Sequence, residues 1–194
     1  MHMPIDALSD VSDEALLVAF GNGDRHAARA LTQRLTPRVL GYAARLLGDR
    51  AEAEDVTQDA MLRLWRIAPD WRQGEAKITT WLYRVVSNLC TDRLRRRRGV
   101  GLDAISEPVD EGPSAGEIMV ESQRQAALQQ ALLDLPIRQR QAVVLRHIEG
   151  VANPQIAQAM DISVEAVESL TARGKRALAQ ALAGRRKDLG YQDG

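Results

Sequence analysis

The sequence predicts an all-helical protein made of two small modules. The helix formers Ala, Leu, Arg, Gln and Glu dominate the composition, whereas Val and Ile occur singly or in pairs rather than in the alternating runs of strands. Aromatic residues make up only 4% of the chain, and a length of 194 residues suits one domain or two small ones.

Charge and composition divide the chain into three parts. Residues 1–98 carry 16 Lys/Arg and 13 Asp/Glu, residues 99–120 carry none and five, and residues 121–194 carry ten and eight. The acidic part between the other two also holds glycines and prolines without hydrophobic periodicity. This predicts modules at residues 12–98 and 117–184, joined by a flexible linker at 99–116. The sequence leaves open whether the two modules pack against each other.

Helix caps and breakers predict five helices in the first module. Ser12 is a suitable N-cap for the first, and Pro37 is expected to open the third. Pro69 stops the fourth, and Thr80 is a suitable cap for the fifth. The expected helices cover residues 13–20, 25–35, 37–47, 51–67 and 81–98, with a loop at 70–79 before the last.

The second module is predicted to hold four helices, and the last two form a helix-turn-helix. Pro136 separates the first two, while Asn153 and Ser163 are suitable N-caps for the third and fourth. The expected helices cover residues 117–134, 136–150, 154–160 and 164–183, with a three-residue turn before the last.

The final helix has an apolar side and a charged side. At helical spacing the residues expected to pack are Val164, Val167, Leu170, Thr171, Gly174 and Leu178, among which Gly174 allows close approach of a neighbouring helix. The residues expected to meet DNA, here named the recognition face, are Ser163, Glu165, Ala166, Glu168, Ser169, Ala172, Arg173 and Arg176.

Two interpretations of the recognition face are open. A solvated charged side is common on structural helices, but the short helix and tight turn before this one favour DNA reading. The first residues of such a helix meet base edges in the major groove. A glutamate there can accept a hydrogen bond from the exocyclic amine of cytosine, and Arg173 and Arg176 lie where the helix would pass the phosphates.

The helix expected at residues 51–67 carries large apolar residues among acids on its outer side. Its inward stripe is Ala53, Val56, Ala60, Leu64 and Ile67. Its outer side, here named the acidic face, consists of Glu54, Asp55, Gln58, Asp59, Leu62 and Trp65. This face is either a second buried contact within the module or a docking surface for a basic partner helix, with Trp65 as a hot spot.

The helix expected at residues 81–98 has a polar stripe that ends in four consecutive arginines. Such a run is usually a solvated surface, but this one follows a loop that carries basic and aromatic residues. That combination suits single-stranded nucleic acid, through phosphate contacts and base stacking. The set, here named the arginine face, consists of Trp71, Arg72, Lys77, Arg84, Asn88, Thr91, Arg95 and Arg98.

No catalytic, metal or cofactor site is predicted. His2, His26 and His147 are far apart in sequence, and Cys90 has no second cysteine with which to form a disulfide or a zinc site. No apolar run is long enough to cross a membrane, and the N-terminus lacks the order of a signal peptide. A cytoplasmic protein without enzymatic activity is expected.

Four segments, taken in order, resemble the signatures of bacterial RNA polymerase sigma factors. They are AEDVTQDAMLRLWR from Ala53, TTWLYRVVSNLCTDRLRRRR from Thr79, LLDLPIRQRQAVVLRHIEG from Leu132 and NPQIAQAMDISVEAVESL from Asn153. The short chain is similar to the extracytoplasmic-function (ECF) group, and the resemblance spans about residues 12–184. The chain departs from the group in the final helix, where many members carry a TVKSR-like run: Glu168 replaces Lys and Leu170 replaces Arg.

The resemblance implies a sigma region 2-like bundle followed by a region 4-like helix-turn-helix, with a role for each face. The acidic face would bind the clamp coiled coil of the beta-prime subunit of core RNA polymerase. The arginine face would read and melt the minus-ten promoter element, and the recognition face would read the minus-thirty-five element. The implied partners are core polymerase through its beta-prime and beta subunits, promoter DNA and an anti-sigma factor, with no membrane insertion. A stand-alone helix-turn-helix regulator is the alternative, and an enzyme that processes nucleic acid ranks third.

Overall fold

A computed structural model describes residues 10–72, 74, 77–99 and 117–183, and the side chains of all these except 117–122. Its described residues are helical and contain no strand, as the sequence predicts. The predicted linker, apart from Gly99, and residue 184 lie outside the described residues. The helices are α1 (Asp13–Gly21), α2 (Arg25–Leu47), α3 (Arg50–Ile67), α4 (Ile78–Gly99), α5 (Glu117–Leu133), α6 (Ile137–Val143), α7 (Asn153–Met160) and α8 (Val164–Ala183). A 3-10 turn (Ala68–Asp70) follows α3, and a π-helical turn (Val144–Ile148) continues α6.

Helix α2 is continuous, so the prediction of two helices separated before Pro37 was wrong. Proline deprives the carbonyl four residues earlier of its helical partner, and here that carbonyl belongs to Gln33. Both Pro37 and Gln33 are exposed, so water can satisfy the carbonyl. Leu35 and Val39, on either side of the proline, are buried on the same face. Burial of this face therefore keeps the two halves in one helix.

Two of the predicted helix caps were also wrong. Thr80 lies buried inside α4, which begins at Ile78 because the backbone N–H of Ile78 donates to the Glu14 carboxylate of α1, 3.2 Å away. Asn153 is the first residue of α7 rather than its cap, which is Ala152, a difference of one residue. The expected caps of α1 and α8 are confirmed: Ser12 accepts from the N–H of Ala15 at 3.2 Å, and Ser163 does so for α8.

The first module packs around α2, which contacts α1, α3 and α4. The centre of this core is Tyr42, which is fully buried and shares a 2.7 Å hydrogen bond with the hydroxyl of Ser87 on α4. Arg97 ties the end of α4 to the start of α3, through ion pairs with Asp49 at 3.3 Å and Glu52 at 2.8 Å. The helix that carries the arginine face is thereby held against the helix that carries the acidic face.

The second module forms the predicted helix-turn-helix. Helix α7 ends at Met160, and its C-cap Asp161 adopts a left-handed conformation with φ of 55°. Helix α8 begins three residues after Asp161. Gly174 lets α8 approach α6, as expected, because a Cβ atom at this position would lie 2.5 Å from a methyl carbon of Val143.

The two modules pack against each other, which the sequence left open. Helix α5 contacts α2, and α7 contacts α4. Leu46 and Leu82 of the first module and Leu132 and Ile156 of the second belong to one continuous buried cluster. The described residues therefore form one body with a shared core.

Candidate nucleic-acid and protein interfaces

The exposure of α8 agrees with its predicted two sides. Val167 and Gly174 are buried, and Val164, Leu170, Thr171 and Leu178 are half-buried. On the opposite side, every member of the recognition face is exposed except Ala166, which is half-buried. The structure therefore brings the members of this face together on one surface, at and beyond the N-terminus of α8.

The two glutamates of the recognition face have different local partners. The pKa of the Glu165 carboxyl is lowered because its own backbone N–H and the Ser163 hydroxyl donate hydrogen bonds to the charged form. Ser163 also accepts from the N–H of Ala166 at 3.2 Å, which caps the helix. Glu165 thus belongs to the cap, whereas Glu168 lies about one turn further along the exposed side.

The acidic face of α3 is exposed except at Trp65. Leu62 is 53% exposed, and it is one of two large hydrophobic side chains left exposed among the described residues. Trp65 is half-buried and packs edge-to-face on Phe20 of α1, with ring centroids 4.8 Å apart. Trp65 thus makes a contact within the module, whereas Leu62 is exposed. Docking of a basic partner on this face stays a prediction.

Three acids of the acidic face form ion pairs that were not predicted from the sequence, two of them with α4. Arg93 pairs with Asp55 at 3.6 Å and with Asp59 at 3.9 Å. Arg50 pairs with Glu54 along α3 at 3.0 Å. Because α4 was predicted from its own periodicity alone, no sequence signal connected Arg93 to residues more than thirty positions earlier.

The helical part of the arginine face is exposed except at one residue. Arg84, Asn88, Arg95 and Arg98 are exposed, whereas Thr91 is half-buried. The Thr91 hydroxyl accepts from the side-chain amide of Gln141, at 3.1 Å, in the second module.

In the loop before α4, the basic members of the arginine face are exposed, whereas the aromatic member is half-buried. Arg72 and Lys77 are exposed. Trp71 is half-buried and packs edge-to-face on Trp81, with ring centroids 6.5 Å apart. Its Nε1 is buried and has no hydrogen-bond partner within the described ranges. Trp71 therefore presents only part of its ring for base stacking in this conformation.

Arg140 and Gln141 are buried polar residues that sequence reasoning did not single out, with exposures of 6% and 5%. Both contact the first module. The signal in the sequence is that two polar residues stand directly before the apolar run Ala142–Leu145 on a short helix. Such residues need buried partners.

Within the described ranges, no group of three His, Cys, Asp or Glu side chains is arranged to hold a metal ion. The helices in those ranges are all too short or too polar to cross a membrane.

Two family models match the chain, Sigma-70 region 2 over residues 31–100 and Sigma-70 region 4 over residues 125–178. The ECF RNA polymerase sigma factor SigM of Mycobacterium tuberculosis is 35% identical, over 88% of this chain and 85% of SigM. SigE of Mycolicibacterium smegmatis, also an ECF RNA polymerase sigma factor, is 34% identical over 79% of this chain, which spans 60% of the length of SigE.

A solved structure of CnrH in complex with the cytosolic domain of CnrY has a similar fold. It matches with a TM-score of 0.67 and 25% identity, and covers 89% of this chain and 97% of that one. Together with the region models and SigM, it leads to one conclusion: the chain belongs to the ECF RNA polymerase sigma factors.

Proposed function

We propose that this chain binds core RNA polymerase through the acidic face and directs promoter-specific initiation through its two DNA-facing surfaces. The arginine face would engage the minus-ten element, and the recognition face would engage the minus-thirty-five element. The observation that supports this most is the match to sigma regions 2 and 4, in order, on a chain that exposes most of all three faces.

The acidic face has the chemistry of a docking surface for a basic helix. Leu62 is an exposed apolar side chain about one turn after the carboxylate of Asp59 and two turns after that of Asp55, so a partner can bury it while its own cations pair with the acids. Trp65 would support this contact from beneath, because Phe20 fixes the position of its ring. The hot spot expected at Trp65 is therefore proposed to centre on Leu62.

The arginine face has the chemistry to hold the separated strand of a promoter. Five of its exposed residues are arginine or lysine, in α4 or in the loop before it: Arg72, Lys77, Arg84, Arg95 and Arg98. Arginine and lysine bind phosphates whatever the base sequence. Asn88, exposed among them, can hydrogen-bond to base edges.

An anti-sigma factor is proposed as the controlling partner. The similar chain CnrH was solved in complex with the cytosolic domain of CnrY. In this chain, Leu62 and most of the arginine face are exposed, so a regulatory protein could cover them. A protein with these partners acts in the cytoplasm, where polymerase and the chromosome are found.

The deciding experiment is transcription in vitro with core RNA polymerase on a promoter library. The proposal expects a small set of promoters to be transcribed only when chain and core are both present. The alternative, a stand-alone helix-turn-helix regulator, expects tight footprinting of a double-stranded operator without core polymerase.

We predict that Leu62→Ala weakens binding to core polymerase about tenfold or more, because it removes the exposed apolar anchor of the acidic face. The measurement is the Kd for core polymerase, by fluorescence anisotropy of the labelled chain. Arg63→Ala, at the exposed neighbouring position outside the acidic face, is the matched control. Equal affinities of the two variants would remove the acidic face from the proposal.

A further inference from the structure

Two arginines of α4 pair with acids of α3, but they do so in different surroundings. Arg97 lies 2.8 Å from the Glu52 carboxylate and 3.3 Å from that of Asp49. All three residues are half-buried, and the guanidinium donates hydrogen bonds to both carboxylates. Charge-assisted hydrogen bonds of this kind are the strong ones. Arg97 is therefore a structural tie between the two helices.

Arg93, one turn earlier on α4, pairs with the acidic face instead. Its guanidinium nitrogens lie 3.6 Å from the Asp55 carboxylate and 3.9 Å from the Asp59 carboxylate. Both distances are longer than those of a hydrogen bond, so the contacts are electrostatic. The side chains of the two acids are 65% and 52% exposed, whereas that of Arg93 is only 27% exposed. A cation of the chain itself thus lies beside carboxylates that a partner can reach.

Arg93 does little to position these two carboxylates. An aspartate side chain is short, and α3 fixes the backbone of Asp55 and Asp59 because Val56 and Ala60 beside them are fully buried. Exposed ion pairs contribute little to stability, since water screens the charges. The main effect of Arg93 on the acidic face is therefore on its charge and not on its geometry.

The remaining acid of this face has a more mobile partner. The Glu54 carboxylate pairs at 3.0 Å with Arg50 of the same helix, and both residues are exposed. A surface pair along one helix is weak and is readily exchanged for another. Arg93 is less exposed than Arg50, so its charge stays near the acidic face when a partner approaches.

We infer that Arg93 is an affinity-limiting residue of the acidic face, which competes with the cations of the docking partner for Asp55 and Asp59. A partner cation must either displace the Arg93 guanidinium or approach against its like charge, and both weaken the complex. The partner is the basic helix of core polymerase. The inference rests on the proposed docking at this face and deepens it, because it identifies a residue of this chain that opposes docking.

The geometry also limits which partner can overcome Arg93. A partner cation within hydrogen-bond distance of Asp55 or Asp59 replaces a longer contact with a charge-assisted hydrogen bond, which is about twice as strong as a neutral one. Leu62, exposed about one turn beyond Asp59, can be buried by the same partner. Arg93 therefore favours a partner that combines directly bonded cations with an apolar side chain over one that is merely basic.

The test is Arg93→Gln in the full chain, which removes the charge and keeps a good helix former. Arg93→Lys restores the charge. Arg96→Gln is the matched control, because Arg96 is an exposed arginine of the same helix that lies outside the acidic face. The measurement is the Kd for core polymerase without DNA, by fluorescence anisotropy of the labelled chain. It is made at about 0.1 M and 1 M salt, where the screening length is about 10 Å and 3 Å. Circular dichroism reports helicity.

The competition expects Arg93→Gln to bind core polymerase about fivefold more tightly at the lower salt concentration, because a like charge beside the docking cations is removed. At the higher concentration the gain should shrink to about twofold or less, since salt screens the repulsion. Arg93→Lys and Arg96→Gln should both stay within about twofold of wild type.

Equal or weaker binding by a fully helical Arg93→Gln variant would overturn the inference, since Arg93 would then be neutral towards the partner or would orient the acids for it. An equal gain in Arg96→Gln would also overturn it, because net charge alone would explain the result. If Arg93→Gln loses helicity, Arg93→Met decides by the same comparisons, since it keeps an unbranched side chain without the charge.

Leu62→Ala separates this inference from the proposed function. If Leu62→Ala weakens binding while Arg93→Gln leaves it unchanged, docking on the acidic face stands and only the competition fails. If both variants bind core polymerase as wild type does, the acidic face is not the docking surface, and the proposed docking and the competition fail together.

Discussion

Arg140 is a nearly buried cation whose hydration is replaced by backbone carbonyls. It donates to the carbonyls of Leu46, Leu133 and Leu135, which lie at or just beyond the ends of α2 and α5. Burial lowers the pKa of its guanidinium to about 10, a shift that Asp134 opposes, so Arg140 stays charged at neutral pH. Removing one partner from a buried charge is costly. Arg140 is therefore both a structural residue of the second module and its link to the first.

We predict that Gly174→Ala destabilises the protein by about 1–3 kcal/mol, because its new methyl group would overlap Val143 at 2.5 Å in a packed interface. Gly99→Ala is the matched control, since among the described residues no atom outside its own helix backbone and chain neighbours lies within 4 Å of a Cβ at that position. It should be neutral or slightly stabilising. Urea denaturation compares the two. A Gly174→Ala variant as stable as Gly99→Ala would mean that α6 and α8 are not in close contact.

We predict that Glu168→Ala changes the base preference of the minus-thirty-five element more than Glu165→Ala does. Glu168 lies exposed on the recognition face, whereas the Glu165 carboxylate accepts hydrogen bonds from Ser163 and its own backbone. Loss of a contact to the amine of cytosine costs about 1–3 kcal/mol of discrimination. Sequencing of promoters selected by each variant with core polymerase measures the effect. Identical selected sequences for Glu168→Ala and wild type would show that Glu168 does not read bases.

At the scale of single helices, burial along one face decides where an element runs. Helix α2 continues through Pro37 because Leu31, Leu35, Val39 and Leu46 all face the core. Sequence rules that treat proline as a helix breaker predict a boundary there, because they consider the lost hydrogen bond and not the burial of the apolar face. The buried and exposed sides of α3, α4 and α8 agree well with the prediction, because the apolar residues of each helix recur at helical spacing over four or more turns. The start of α4 was not, because it depends on Glu14 of another helix.

We predict that Pro37→Ala stabilises the protein by about 1 kcal/mol. The new N–H can bond to the carbonyl of Gln33, and alanine is the better residue in a helix interior. Part of this gain is offset by the greater freedom of alanine in the unfolded chain. Thermal denaturation followed by circular dichroism gives the change in Tm, which should be upward. A lower Tm would show that the proline gives α2 a geometry that improves its packing against the adjacent helices.

At the scale of the whole molecule, acids that are buried in their neutral form set the response to alkaline pH. Burial raises the pKa of the Cys90 thiol to about 12, and burial also raises the pKa of the Tyr42 and Tyr83 hydroxyls above their usual range. These groups hold their protons in the folded state after the unfolded chain has lost them. Their contribution to stability is therefore complete below pH 9, the ordinary pKa of cysteine, and falls as the pH rises towards 12.

We predict that the urea midpoint is lower at pH 10 than at pH 8. Cys90 alone should account for about 1.4 kcal/mol, since the pH then lies one unit above its unfolded pKa. Arg140 acts in the opposite direction, but its lowered pKa gives it an effect only from about pH 10 upwards. Cys90→Ala should reduce the difference between the two pH values. A midpoint that is flat or rises from pH 8 to pH 10 contradicts the burial of these groups.

The sequence by itself determined the helical class, the two modules, the helix-turn-helix and the residues on each of the three faces. These features follow from composition and from repeats within one helix, which are local and visible in the chain. The tertiary structure decided which of those residues are accessible. Trp65 is half covered by Phe20, Thr91 lies beneath Gln141, and the acids of α3 meet Arg93.

Only the tertiary structure decided that the two modules share a core. The contacts involved join residues more than fifty positions apart, such as Gln141 with Ser87 and Arg140 with Leu46. Each is a hydrogen bond from one side chain to a backbone carbonyl, and every residue has such a carbonyl. The acceptor therefore cannot be identified from the type of residue that carries it. The partner of each side chain is set only when packing brings the two helices together.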